Sequence, residues 1–170
     1  MSRAVVFWCR LGRPDAFLNV VLLMPRARAF FVIATANDVS QLPPELLRKG
    51  RFDEIFFVDL PSLAERSDIL GIHLRAHRRD PARYDLAELA SGCEHMSGAE
   101  LEQIVIGGLF RAFRDGRDLT MDDLRIVAKA TVPLYRTYED QIKALREWAK
   151  TRARRASTDH GLAELWAGQR

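Results

Sequence analysis

Residues Phe30 to Ala36 read FFVIATA, an uninterrupted apolar run whose one hydroxyl belongs to β-branched Thr35. A run this rich in aromatic and β-branched residues predicts a strand buried on both faces, as in a parallel sheet. The polar pair Asn37-Asp38 marks its end. A second run, Ile55 to Val58, repeats the pattern and is closed by Pro61. Between them, VSQLPPELLRKG predicts a loop, a Pro-Pro start and a short helix from about Pro44 to Lys49, with Gly50 as its stop. Strand, helix and strand in that order predict the end of an α/β sheet.

Beyond Pro61 the period changes from strand to helix. Ser62-x-x-Glu65 predicts a capped helix to about His77, and Asp85-x-x-Glu88 a short one. Ser97-x-x-Glu100 opens a long helix to about Asp115, stopped by Gly116, and Thr120-x-x-Asp123 opens another through about Ala130. Leu101, Ile104, Val105, Leu109 and Phe113 recur at helical spacing and are expected to form its core face. A last helix, about Tyr138 to Arg155, has Ile142, Leu145 and Trp148 on one side. Its cations are Lys143, Arg146, Lys150, Arg152, Arg154 and Arg155. A helical domain of about Ser62 to Ala130 should hold its own core, and the tail from Ser157 is expected to be loose.

The first 28 residues fit this pattern poorly. Two apolar runs, Ala4 to Cys9 and Ala16 to Met24, are broken by Arg10, Arg13, Pro14 and Asp15. Neither approaches the roughly 18 apolar residues of a membrane span, and Arg10 interrupts any signal-peptide core. The expected divisions are an atypical segment 1–28, the sheet portion 29–61, the helical domain 62–132, a basic helix 133–156 and a tail 157–170.

Composition adds limits. In 170 residues, 26 are Lys or Arg against 23 Asp or Glu, a net charge of +3 that does not by itself call for nucleic acid. Cys9 and Cys93 fit neither a disulfide framework nor a metal pattern, so a reducing cytoplasm is the expected compartment.

The ordered string A-T-A-N, then P-x-x-L-L-R-x-G-R-F-D, then a strand ending L-P, then R-x-x-I-L resembles the second half of an AAA+ ATPase core. HMSGAELEQIV resembles that family's small helical lid. The resemblance covers about residues 29 to 130. It runs most strongly to the single-AAA-domain ATPases of plastids, cyanobacteria and other bacteria, known mainly as conserved open reading frames. It implies a partial P-loop NTPase parallel sheet followed by a small all-helical lid domain, with ATP and Mg²⁺ as ligands of the intact family and other AAA+ subunits as partners. The family sheet has about five strands and only two are legible here, so each is expected to lack a neighbour on at least one side.

The resemblance also implies roles. Arg51 matches an arginine finger reaching a neighbouring subunit's γ-phosphate, where a planar, permanently charged guanidinium suits spreading phosphoryl charge. The alternative is a surface arginine paired with Asp53 or Glu54. Many relatives carry a second finger where Glu54 stands, and a carboxylate cannot serve there. Asn37 matches sensor 1, able to donate to and accept from water and phosphate without adding charge, or else it closes a turn. His73 matches a histidine at the ribose and base, with Ile69 one turn earlier at the adenine pocket. Gly98 and Ala99 match the small pair of the sensor-2 region. No metal ligand is assigned, and His77, His95 and His160 have no evident partners.

A phosphate loop needs a Gly-Lys pair, and this sequence has none. Nor does an apolar strand ending in Asp-Glu precede Asn37; Asp15 is the only acid among residues 1 to 28. The expectation is a truncated AAA ATPase, its start altered by a frameshift or misplaced initiation, holding no ATP tightly and hydrolysing none alone. The other readings are a non-catalytic partner donating Arg51 to a complete subunit and, ranked last, a nucleic-acid module using the basic helix. Neither a membrane nor a nucleic-acid partner is expected.

Overall fold

The helix starts follow from side chains that satisfy otherwise orphaned amides. In the computed structural model, which describes residues 5–7, 18–23, 31–36, 39, 42–43 and 54–157, α1 spans Leu63–Ala76 and begins at Ser62. The Ser62 hydroxyl accepts from the Glu65 amide at 3.3 Å, and Glu65 Oε2 accepts from the Ser62 amide at 2.8 Å. Such reciprocal caps contribute about 1 kcal/mol each. Asp85 caps α2 (Leu86–Ser91), and Ser97 with Glu100 caps α3 (Gly98–Arg114). Helix α4 (Met121–Ala130) starts at Thr120, whose amide and hydroxyl both donate to Asp123. Gly116, at φ +65°, ends α3: its amide and that of Arg117 close back onto Phe113 and Ala112.

The chain divides into two compact units. One is Leu60–Glu139. Its core joins Leu70, Leu74, Leu89, Cys93, Met96, Leu101, Ile104, Val105, Ala112, Leu119 and Leu124, drawn from all four helices and their loops. Each large aliphatic side chain buried there stabilises by roughly 1.5–3 kcal/mol. Leu101, Ile104 and Val105 are fully buried, as the periodicity predicts, but Phe113 is 83% exposed and Phe110 69%. The buried seam passes through Gly108 and Ala112 instead. At about 100° per residue, position 113 lies some 120° around the helix from Leu101, whereas 112 returns to within about 20°.

The other unit is Met1–Asp59 with Asp140–Arg170. Its sheet holds β1 (Val5–Phe7), β2 (Leu18–Leu23), β3 (Phe31–Ala36), β4 (Phe56–Phe57) and β5 (Arg154–Arg155), in the order β2-β3-β1-β4-β5. Strand β1 runs antiparallel to both β3 and β4, so those two point the same way, and β5 joins β4 in parallel. β2 pairs antiparallel with β3 along its whole length, from Leu18 opposite Ala36 to Leu23 opposite Phe31. β3, β4 and β5 therefore run parallel to one another, with β1 and β2 against them; Arg154 and Arg155, expected to end the last helix, form β5 instead, and that helix stops at Arg152.

Two expectations are corrected here. The segment read as poorly specified supplies two strands, at the cores of its two apolar runs. With β1, β2 and β5 in place, β3 and β4 each have neighbours on both sides, where one side was expected to be bare. Helix α5 (Glu139–Arg152) follows, its Ile142 and Ala149 buried. The short helix expected over 44–49, and the tail beyond residue 157, lie outside the described residues.

Candidate functional site

Of the six residues singled out, four lie on α1 and α3 of the Leu60–Glu139 unit; Asn37 and Arg51 lie outside the described residues. A Cβ placed on Gly98 would sit 3.9 Å from Ile69 Cδ1 and meet nothing nearer. One turn further along both helices, His73 Nδ1 lies 3.6 Å from Glu102 Oε1. Four residues separate each successive contact, so Ile69–Gly98 and His73–Glu102 form two rungs of one helix pair. Ala99 is exposed, while Ile69, His73 and Gly98 are half-buried. All four keep some exposure to solvent.

Packing does not demand a glycine at position 98. The contrast with Gly107 is informative, because a Cβ there would fall 2.9 Å from Val127 Cγ1. Gly107 is explained by α3 lying close on α4; at Gly98 an added methyl would make only an ordinary contact with Ile69, at a helix start whose amides point outward.

Glu100 anchors this helix start. Its Oε2 accepts from the Ser97 amide (2.7 Å) and hydroxyl (2.6 Å), and its Oε1 accepts from the Leu134 amide at 2.7 Å. The carboxylate thus ties the single turn Leu134–Arg136 to the α3 start. Beside it the His95 ring stacks on Tyr135, centroids 4.5 Å apart, with His95 at φ +63°. His95, expected to have no partner, has this one. Arg66, within the R-x-x-I-L string, is buried and donates to the carbonyls of Ala90 (2.9 Å) and Pro61 (3.0 Å). Glu100 was legible only as a cap and Arg66 only as a motif letter; their distant carbonyl and amide partners have no sequence signal.

Glu54, where a second finger would stand, is ion-paired with Arg154 at 3.4 Å. Most cations of the last segment are likewise matched: Arg146 and Arg155 to Asp59, Lys150 to Glu147, Arg154 to Glu54. Among the described residues no group of three or more His, Cys, Asp or Glu side chains is placed to hold a metal ion. No described helix is long and apolar enough to cross a membrane.

The family model for the ATPase family associated with various cellular activities (AAA) matches residues 13–60. That match begins inside the 1–28 segment set apart above, so the likeness reaches further upstream than residue 29. An AAA domain-containing protein ycf46 of Pyropia yezoensis is 45% identical over 140 residues, covering 81% of this chain and 28% of that protein. The ycf46 protein of Trieres chinensis is 42% identical over 138 residues, 80% of this chain and 28% of its own length. A proteasome-activating nucleotidase of Aeropyrum pernix is 45% identical over 94 residues, 55% of this chain and 23% of the nucleotidase. The chain thus spans 28% of the ycf46 relatives and 23% of the nucleotidase. The FIGL-1 AAA domain, solved with ADP, superposes with a TM-score of 0.56 at 21% identity over 69% of this chain and 43% of that one, a likeness of fold. By family model and by relatives, the chain is of the AAA ATPase type and akin to the ycf46 proteins over four fifths of its length.

Proposed function

We propose that this chain supplies the nucleotide-responding half of an AAA ATPase site and acts on a nucleotide gripped by another subunit. The observation that carries this is the α1–α3 edge, where Ile69 meets Gly98, His73 stands one turn on, and no neighbouring protein group requires the glycine. There His73 and Ile69 face the ribose and base, and Gly98 and Ala99 let a ligand approach the backbone. Arg51 is the finger and Asn37 the sensor. A guanidinium neutralises charge spreading over phosphoryl oxygens, and a neutral amide orients the attacking water.

ATP fits this edge through its base and ribose. Its phosphates and Mg²⁺ need a Gly-Lys loop and an acidic strand that the sequence does not contain. Positioning and electrostatics supply nearly all of phosphoryl-transfer catalysis, so the chain alone should hydrolyse ATP no faster than buffer. A nucleic-acid role is disfavoured by the carboxylates already paired with Arg146, Lys150, Arg154 and Arg155.

The test mixes the chain with a full-length ycf46-type ATPase. Turnover should change on mixing, and Arg51→Ala should abolish the change while Arg154→Ala preserves it. Equal turnover with and without the chain, or an Arg51→Ala chain that changes turnover as much as the wild type does, would discard the proposal.

A further inference from the structure

Helix α3 buries one face in the core, through Leu101, Ile104, Val105, Gly108 and Ala112. A surface helix ordinarily turns charges outward from its other face. Here the outward face is apolar as well. Gln103, Ile106, Phe110 and Phe113 follow one another at intervals of three, four and three residues, the spacing that keeps one seam turned to a partner helix. At about 100° per residue they fall within an arc of about 80°, centred some 160° around the helix from Leu101. Glu102 and Arg114 flank that arc, and no charged residue lies inside it. Phe110 and Phe113 are the most exposed large hydrophobic side chains among the described residues. Single apolar side chains on a surface are ordinary, but two aromatic rings on one uncharged seam mark a place of contact.

We infer that this seam docks α3 of a second copy of the chain, the two helices packing antiparallel about a two-fold axis level with Gly108. The seam is complementary to itself in that register. Ile106 lies opposite Phe110 of the partner subunit and Gln103 opposite Phe113 of the partner subunit, and the symmetry repeats each layer. Every phenylalanine thus meets a slimmer side chain, as interdigitated packing requires. A parallel pair would stack ring on ring and amide on amide. Charge permits the antiparallel arrangement: Glu102 comes beside Leu109 of the partner subunit, and Arg114, already held by Asp115 at 3.1 Å, beside Gly107 of the partner subunit. No like charges meet, and a net charge of +3 on each copy adds little repulsion.

The area sets the strength. Two exposed phenylalanines and part of an isoleucine offer roughly 350 Å² per copy, about 700 Å² for the pair. A stable interface needs at least about 1,200 Å², so this pairing is weak and driven by concentration. Residue 99 lies past the end of the partner helix in this register. Gly98 and Ala99 stay clear, and the inference does not rest on the nucleotide reading.

Sedimentation velocity of the full chain from about 10 µM to about 1 mM suits an interface of this size. The average mass should rise with concentration toward twice that of the chain. Phe110→Ser and Phe113→Ser should each lower the association constant at least about tenfold. Leu63→Ser, which removes an exposed side chain more than a turn before Ile69 and so distant from the seam, should leave it within about twofold. Backbone amide spectra matching the wild type confirm that each variant is folded. For the geometry, a nitroxide on Gln103→Cys in a Cys9→Ser background, mixed with ¹⁵N-labelled wild type, should broaden amides around residue 113 of the labelled chain more than those around 103. A constant mass across the range overturns the inference, as does association undiminished in Phe113→Ser. Broadening strongest around residue 103 overturns the antiparallel pairing. A chain that stays monomeric alone yet binds a full-length ycf46-type ATPase through Phe113 overturns the second copy as the occupant.

Discussion

Arg117 grips Asp123 with both terminal nitrogens, Nη2 to Oδ1 at 2.8 Å and Nη1 to Oδ2 at 2.5 Å. Thr120 adds its hydroxyl at 2.7 Å and its amide at 3.1 Å, and the carboxylate is 1% exposed. One ion pair therefore closes the α3–α4 turn and caps α4 at once. The Arg117 hydrogen bonds, helped by those of Thr120 and opposed by burial, hold the Asp123 carboxyl well below the usual carboxylate range. Because the folded value is depressed, this contribution is fully present above the unfolded value near pH 4 and is lost as pH falls below it. Asp123→Asn should cost about 2 kcal/mol near neutrality and flatten the loss of stability below pH 4. Urea titrations at several pH values check this; a variant with the wild-type slope in acid would contradict it.

Cys93 lies fully buried in the helical core, and burial pushes its thiol up to about 11 against the opposing influence of Arg66. The thiolate that reacts with disulfide reagents is scarce and enclosed. In a Cys9→Ser background, labelling at pH 8 should run at least about a hundredfold slower than in denaturant, its rate reporting opening of the helical unit. Labelling at the free-thiol rate would mean that Cys93 is not part of a closed core.

The helical unit was legible because its signals are local. Ser62, Asp85, Ser97 and Thr120 each sit three residues before an acid, and a cap acts within one turn. Phe113 failed because spacing alone counts it with the core face, whereas the seam turns back through Gly108 and Ala112. The N-terminal strands were hidden for another reason. Runs broken by Arg10 and Pro14 show no period, and their pairing with β3 depends on partners beyond the local window. The candidate site divides the same way. His73, Ile69, Gly98 and Ala99 stand in recognisable strings, but that Glu102 comes within 3.6 Å of His73 is visible only once α1 and α3 are set in register. The Arg146–Asp59 pair joins residues 87 apart, which no local pattern reports.

That pair carries the third prediction. Arg146 Nε lies 2.9 and 3.0 Å from the two Asp59 oxygens, and Nη2 lies 2.9 Å from Oδ1. Asp59 is only 10% exposed, and Arg155 approaches its other side at 3.6 Å. The planar fork anchors α5 beside the end of β4, while the Arg154 and Ala156 amides bond the carbonyls of Ile55 and Phe57. Arg146→Ala should weaken this anchorage by about 2 kcal/mol, and Arg146→Lys should recover little because lysine lacks the fork. Faster hydrogen exchange at the Arg154 and Ala156 amides, with α1 unchanged, is the expected readout. Full recovery by lysine would show that charge alone suffices.

The two kinds of glycine on α3 allow stability and ligand approach to be separated. At Gly107 an added methyl would press on Val127 Cγ1 at 2.9 Å, and a valine on a helix has almost no alternative rotamer. Overpacking of this kind costs about 1–3 kcal/mol, against roughly 1 kcal/mol gained by replacing a helical glycine. Gly107→Ala should therefore destabilise the helical unit by about 1 kcal/mol. At Gly98 the nearest atom is 3.9 Å away and φ does not demand glycine, so Gly98→Ala should be neutral or slightly stabilising. If a nucleotide approaches the backbone there, the same substitution should weaken the shift that millimolar ADP causes in the backbone amide spectrum of residues 97–100, whereas Gly107→Ala should leave that shift intact once the protein is folded. A Gly98→Ala variant that loses stability would place the need for glycine in the protein's own packing and remove the argument for a ligand at that helix start.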